Sequence, residues 1–373
     1  MIVWSILGLF ALILVTGFFF LRLSPVFGGA PSELQKERYT QSGHFQDGKF
    51  INQITTTMDM SVRDYVGLTM EYLRGTPNSK PAVPLPVLPL DSTGIINKPD
   101  ESTRLTWFGH SAILLELEGK NILIDPMLGE SPSPHPWLGS KRYGELPIEV
   151  EQLPHLDAVI ISHDHYDHLD YGSIQKLKDK VDKFYTPLGV GTHLEAWGVE
   201  KSKIHELNWW EEILHGQITF VCTPARHFSG RGLQDRNKTL WASWVIISAK
   251  DTIYFSGDSG YGPHFKEIGE RYGPFAFAMM ECGQYDTRWE AIHMLPEQTV
   301  QAALDVRADL IMPIHWGAFT LAMHSWTDPI ERVTKQAQAM SVNIATPKIG
   351  EPIILNQTNF PNSSWWESTR SNE

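Results

Sequence analysis

The chain has 373 residues, a formal net charge of −12, 42% hydrophobic residues and 20% charged residues. This composition is globular and excludes a disordered chain. The acidic balance excludes nucleic acid as the main partner, because duplex binding rests on Lys and Arg neutralising phosphates. Its two cysteines, Cys222 and Cys282, are too few for a disulfide framework and read as small buried hydrophobes.

Residues 2–21, IVWSILGLFALILVTGFFFL, carry no charge. About 20 apolar residues cross a bilayer as a helix. Only Met1 precedes them, whereas a cleaved signal usually opens with Lys or Arg. The expectation is an uncleaved single-pass anchor over 1–23, with the lipid bilayer as partner. Arg22, Lys36 and Arg38 follow the span, which puts the rest of the chain on the cytoplasmic side. Residues 24–98 read as an N-terminal extension. Within it, 24–43 are rich in Gly, Pro, Ser and charge and read as a tether, 47–75 carry helical signals, and 76–98 form a proline-rich connector.

From residue 104 the pattern changes. Short apolar runs at 105–108, 113–117, 122–124, 158–162, 218–222, 241–248, 252–255, 275–280 and 310–314 predict β-strands, several of them fully buried. Helical patterns lie at 172–182, 263–272 and 296–306. Two sheets covered by helices is the natural packing, an α+β class. The domain spans 99–356, and 357–373 read as a polar tail.

The segment Ile161-Ser162-His163-Asp164-His165-Tyr166-Asp167-His168-Leu169-Asp170 directly follows the run at 158–162. His163 and His165, two apart in extended chain, project to one side. Asp167 and His168 come after the turn and can face a second ion. Catalytic zinc keeps one position for water, so further ligands are expected at later strand ends. His227, Asp258 and His315 stand there. The chemistry divides them: His163, His165 and His227 on one metal, Asp167, His168 and His315 on the other, and Asp258 bridging with its two carboxylate oxygens. Two ions about 3.5–4 Å apart share a water and lower its pKa. Asp125, in Ile124-Asp125-Pro126, is the candidate carboxylate for orienting the histidines. Among the remaining candidates, Arg226 and Tyr261 flank ligands and could touch a substrate. His110 and His324 read as structural or surface residues, and His135 as a loop histidine. Trp209, Trp210, Trp241, Trp244, Trp289 and Trp316 fit core packing better than an acyl groove.

This HxHxDH segment, with the later His, Asp and His, resembles the metallo-β-lactamase superfamily. Residues 105–111 (LTWFGHS), 124–127 (IDPM), 162–173 (SHDHYDHLDYGS), 207–212 (LNWWEE), 237–245 (NKTLWASWV), 257–261 (GDSGY), 265–269 (FKEIG) and 314–317 (IHWG) resemble one branch, the N-acylphosphatidylethanolamine-hydrolysing phospholipase D enzymes. The likeness runs from about residue 45 to 356. It implies an αβ/βα sandwich of two mixed β-sheets flanked by helices. It further implies two zinc ions and a membrane phospholipid substrate, cleaved to N-acylethanolamine and phosphatidic acid. The same resemblance puts His293 beside the scissile phosphate, alongside Asp167 and Asp258 as catalytic residues. Where the family usually carries Gln, this chain has Ile292, which keeps a lactone, a carboxylic ester or another phosphodiester open as alternative substrates. A homodimer is compatible with the sequence.

Overall fold

A computed structural model describes residues 2–58, 60–96, 102–357 and 359–369. Before the main domain come helices α1 (Ile2–Leu23), α2 (Glu33–Thr40), α3 (Val62–Arg74) and α4 (Ser92–Ile96), and a hairpin of β1 (Phe45–Gln46) and β2 (Lys49–Phe50). α1 is long and apolar enough to cross a membrane over Trp4–Leu23, and none of that stretch is buried.

The first large sheet contains β3 (Arg104–Trp107), β4 (Ile113–Leu117), β5 (Lys120–Ile124), β6 (Leu156–Ile160), β7 (Val181–Pro187) and β8 (Ile204–Leu207). The second contains β9 (Glu212–His215), β10 (Ile218–Thr223), β11 (Ser243–Ile247), β12 (Thr252–Phe255), β13 (Phe277–Glu281) and β14 (Ile311–Ile314). β15 (Pro352–Ile354) returns to the edge of the first. Strand orders are β15-β3-β4-β5-β6-β7-β8 and β14-β13-β12-β11-β10-β9. Both sheets are mixed. β5 to β8 and β12 to β14 run parallel, and the other neighbours pair antiparallel. Helices α5 (Tyr171–Leu177), α6 (Gly191–Ala196), α7 (His264–Tyr272), α8 (Pro296–Asp305) and α9 (Asp328–Ala339) complete the chain.

The continuous apolar runs have a simple cause. Successive side chains on a strand point to opposite faces. Ile122, Ile124, Ile160, Phe220, Trp244, Phe255 and Met279 enter the core between the two sheets. Their neighbours Leu123, Val159 and Phe184 face Ile174, Leu177 and Leu194 on one outside. Val221, Val245, Tyr254 and Ala278 face Phe265, Ile268 and Ala302 on the other. Strands buried on both faces need apolar residues at every position. The structure is therefore the expected αβ/βα sandwich. Cys222 and Cys282 are both buried without a disulfide, as expected.

Three expectations need correction. The helix expected over 172–182 ends at Leu177, and Val181–Pro187 is a strand. Lys178, Lys180 and Lys183 gave that stretch a helical look, but their ammonium groups reach backbone carbonyls of neighbouring loops while Val181 and Phe184 are buried. The tether over 24–43 is docked. Trp197 Nε1 donates to the Pro25 carbonyl at 2.6 Å, and Arg231 Nε donates to the Val26 carbonyl at 2.9 Å. Gly28 and Gly29 pass so close to α6 that a Cβ at Gly28 would lie 1.9 Å from His193 Nδ1. Tyr39 and Phe50 then bury their rings in the central core. The polar tail is docked too, since Trp365 and Trp366 are buried against Trp316.

Under α2 lies Glu206. Burial pushes its carboxyl up to about 7, against the pull of Arg38 and of the Gly189 and Gly191 amides. Between the ordinary carboxylate value and pH 7 the folded chain thus binds more protons than the unfolded chain, so stability falls as pH rises through that window. Glu206→Gln should remove this slope and gain on the order of 1–3 kcal/mol at pH 8 with no gain at pH 4. Denaturant titrations of both proteins at the two pH values check it, and parallel curves would refute it.

Candidate metal centre

Every expected ligand sits just beyond the C-terminal end of a strand. His163 follows β6, His227 follows β10, Asp258 follows β12 and His315 follows β14. Within each sheet these strands point the same way, so the ligands converge at one end of the sandwich.

The side chains meet as the spacing predicted. His165 Nδ1 lies 2.9 Å from His163 Nε2 and 3.2 Å from His227 Nε2. Asp258 Oδ2 is 3.8 Å from both Nε2 atoms and 3.1 Å from His168 Nε2. Asp167 Oδ2 lies 3.6 Å from His168 Nε2 and 3.9 Å from His315 Nε2. Asp258 thus stands between two sets: His163, His165 and His227 on one side, and Asp167, His168 and His315 on the other. Ligand atoms of each histidine group lie within 4.8 Å of one another.

The chemistry of these atoms fits divalent cations. His227 Nδ1 donates to the Ile292 carbonyl at 2.9 Å, which leaves Nε2 with a lone pair aimed inward. His168 Nδ1 donates to Asp125 Oδ2 at 2.6 Å, with the same result. Ser162 Oγ donates to Asp125 Oδ2 at 2.6 Å and so accepts from His163 Nδ1 at 2.9 Å. The inward nitrogens of His163 and His227 are therefore both acceptors crowding one His165 nitrogen. His168 Nε2 and Asp258 Oδ1 are buried with no well-aligned hydrogen bond, and their near neighbours, Asp258 Oδ2 at 3.1 Å and His315 Nδ1 at 3.0 Å, belong to the same cluster. Buried polar atoms are normally satisfied, and a divalent cation bound here would satisfy these. Nitrogen and carboxylate donors suit zinc and also other first-row metals.

Electrostatics agree. Burial holds His163, His227 and His315 well below the ordinary histidine range and lowers His165 to about 4. Neutral imidazole is the form that binds metal. Burial would lower His168 as well, but Asp258, Asp167 and Asp125 override it and raise it. Burial pushes Asp258 up to about 6, a cost that a cation offsets.

Asp125 plays the role expected of it, and more. Its Oδ1 also accepts from the Ser162 amide at 2.7 Å. One carboxylate therefore orients a residue of each set: His168 directly, and His163 through Ser162. The N-terminal extension holds a third. Asn52 accepts from the His227 amide at 3.1 Å and donates to the His227 carbonyl at 2.8 Å.

Two expected substrate contacts are not brought to the centre. Arg226 spends its guanidinium on Thr56 Oγ1 and on the carbonyls of Thr55 and Tyr261. The Tyr261 hydroxyl donates to Asp305 on α8 at 2.6 Å. Both lock the wall of the site. His293 does belong to the centre, with its ring 5.0 Å from that of His227 and 5.2 Å from that of His315. Ile292 is buried, and its contribution is the carbonyl that orients His227.

Two residues were misread or missed. His110, taken as structural or surface, is buried with Nε2 donating to Asp167 Oδ2 at 2.9 Å and its ring 4.1 Å from that of His315. It sits after β3 and is held by its own amide to the Trp316 carbonyl at 3.0 Å. Glu281, the last residue of β13, is buried and bonded to His293 Nδ1. Its Oε2 accepts from the Ser259 amide at 3.0 Å. An acidic residue closing the run FAMME was the available signal. His324, by contrast, accepts from the Gln284 amide and is structural, as expected.

Removing a partner that orients metal-bound histidines typically lowers metal affinity by about 10–100-fold. Asp125→Asn should do this for both ions, with circular dichroism unchanged. Metal analysis after dialysis against graded chelator checks it, and loss of a single ion at wild-type affinity for the other would contradict the shared role.

Comparison with known proteins gives the same picture. The β-lactamase superfamily domain matches residues 120–316. An uncharacterized protein of Mycobacterium tuberculosis is 41% identical over 318 residues, covering 84% of each chain. N-acyl-phosphatidylethanolamine-hydrolyzing phospholipase D 1 of Caenorhabditis elegans is 37% identical over 228 residues, covering 58% of this chain and 64% of that one. A solved metallo hydrolase from the archaeon Ignicoccus hospitalis shares the fold, with a TM-score of 0.53 at 22% identity over 69% of this chain and all of that one. The chain belongs to the metallo-β-lactamase superfamily and is a metal-dependent hydrolase of that fold.

Proposed function

We propose that this protein is a membrane-anchored dizinc phosphodiesterase of phospholipase D type, which hydrolyses N-acylphosphatidylethanolamine to N-acylethanolamine and phosphatidic acid. The observation that carries the reading is the pair of ligand sets sharing Asp258, with the Glu281–His293 pair beside them. The worm relative's phospholipid activity and the apolar α1 support the substrate and its location.

Two zinc ions, held by His163, His165, His227, Asp167, His168, His315 and the shared Asp258, would supply Lewis acidity and a water of lowered pKa. The protein's own groups do the rest. His110 keeps Asp167 Oδ2 in place. Asp125 and Ser162 keep His168 and His163 in the tautomers that bind metal. Burial pushes Glu281 well above the ordinary carboxylate range, so the Glu281–His293 pair retains a proton. With Glu281 on Nδ1, His293 Nε2 is the atom from which that proton reaches the departing ethanolamine oxygen. An alkoxide leaves poorly without such a donor.

The direct test is zinc content together with N-acylethanolamine release from vesicles. Wild type should hold two zinc ions and turn the lipid over. Asp258→Asn should lose at least about a hundredfold in kcat, together with metal. Two bound zinc ions with turnover of lactones but not of the lipid would replace this substrate with the alternative one.

The proton donor has its own signature. Glu281→Gln and His293→Gln should slow cleavage of an alkyl phosphodiester by about 100-fold while leaving a p-nitrophenyl ester, whose leaving group needs no proton, within about threefold of wild type. Equal losses on both esters would assign these residues to positioning alone.

A further inference from the structure

We propose that the loop carrying Trp137 and Leu138, together with Leu233, is a second bilayer-contacting element that seats the metal centre against the membrane beside α1. The inference rests on the reading of α1 as a membrane span.

Trp137 is 88% exposed and Leu233 is 84% exposed, and Leu138 is exposed beside Trp137. Both loops lie along α1. A groove of about 520 Å³ separates Trp137 and Leu138 from Leu12, Ile13 and Phe20 of α1. The Phe20 ring stands edge-on to His135 in the same loop, with centroids 6.2 Å apart. A second groove, of about 370 Å³, separates Leu233 from Phe18 and Leu21.

Depth follows from helix geometry. At 1.5 Å per residue, Leu12 lies about 16 Å from the Leu23 end of α1. Half of a bilayer's hydrocarbon core is about 15 Å. A chain whose α1 spans the bilayer therefore carries Trp137 into the lipid, at a depth set by the tilt of α1. The loop is built for that. Residues 131–140, SPSPHPWLGS, contain no Asp, Glu, Lys or Arg, while Glu130, Lys141 and Arg142 stand at its base. Several of its polar groups are closed on one another: Ser131 Oγ donates to the Leu138 carbonyl at 2.7 Å, Ser133 Oγ to the His135 carbonyl at 2.7 Å, and the Leu138 amide to the His135 carbonyl at 2.8 Å. Internal satisfaction of backbone groups is what hydrocarbon demands and water does not. Trp also favours the membrane–water interface.

The placement gives the contact a purpose. The Trp137 loop begins just after Asp125. The Leu233 loop is bonded to the metal-binding loop through the Gly230 amide on Asp164 and Arg231 Nη1 on the Leu169 carbonyl. The two apolar loops thus flank the metal-binding loop, and a lipid headgroup beneath them lies next to His165, Tyr166 and Phe228, all half-buried at the mouth.

The test uses the full chain in phosphatidylcholine vesicles containing lipids brominated at shallow or deep acyl positions. The difference in emission between wild type and Trp137→Phe isolates one tryptophan among 13. That signal should fall at least about twofold with brominated lipid, the depth of the more effective bromines reporting the tilt of α1. The triple variant Trp137→Ser, Leu138→Ser, Leu233→Ser should stay in the carbonate-washed membrane pellet. It should lose about tenfold in kcat/KM on vesicle-embedded lipid and keep its rate on soluble bis(p-nitrophenyl) phosphate. An unquenched Trp137 in a carbonate-resistant chain would overturn the proposal while leaving α1 as a span. Shielding of Trp137 that varies with chain-to-lipid ratio would overturn it in favour of a second copy of the chain. Release of wild type by carbonate would overturn the reading of α1, and this proposal with it.

Discussion

The carboxylate of Asp125 is the interaction on which the site depends. It leaves the end of β5 with φ of +41°, a left-handed conformation that few residues adopt without a compensating bond. Three bonds compensate: to the Ser162 amide, to the Ser162 hydroxyl and to His168. Through them a single anion fixes the turn that ends β6, the tautomer of His168 and the tautomer of His163. The neighbouring strands β5 and β6 are parallel, so their ends lie side by side, and the short Asp side chain reaches across without a water. His163, His165, His227 and His315 kept neutral by burial, and an Asp258 carboxylate made costly by burial, are two halves of one arrangement that a cation completes.

Around this core, segments far apart in sequence serve as clamps. Asn52 grips the backbone of His227, His110 holds Asp167, and the Trp365–Trp366 pair packs under the turn after His315. Asp164, inside the metal-binding loop, ligates nothing. Its oxygens take the Gly230 amide, the Thr239 hydroxyl and His193, and so fasten that loop to the outer wall. The loop is thus fastened at a non-ligand residue as well as at its ligands.

Much of this was legible in the sequence. The ligand residues were readable because strand-end geometry compresses them into local patterns, such as SHDHYDHLD and GDSG, that few other structures require. Buried strands announced themselves by apolar residues at every position. What escaped depended on long-range contact. Nothing local tells that His110 meets Asp167, 57 residues away. Glu281 looks like an ordinary polar stop to a strand until His293 is folded over it. Arg226 and Tyr261 lie beside ligands in sequence, yet adjacent residues on an extended chain point apart, and their polar ends turn to α8 and to the extension. The strands β7, β8 and β9 carry charged residues, Asp182, Lys183, Glu206 and Glu212, which masked them. The extension and tail look polar in composition, but a few aromatic side chains in each suffice to fasten them.

The docking of residues 25–52 bears on how α1 can be separated from the rest of the chain. A cut at the composition boundary near residue 98 would strip Tyr39 and Phe50 from the core and Asn52 from His227. The remaining fragment would keep every ligand and still lack the surface that shapes one of them. The docked part of the chain begins just after α1, at Pro25, so α1 and the enzyme meet with almost no slack between them. Motion of α1 is then motion of the whole catalytic body.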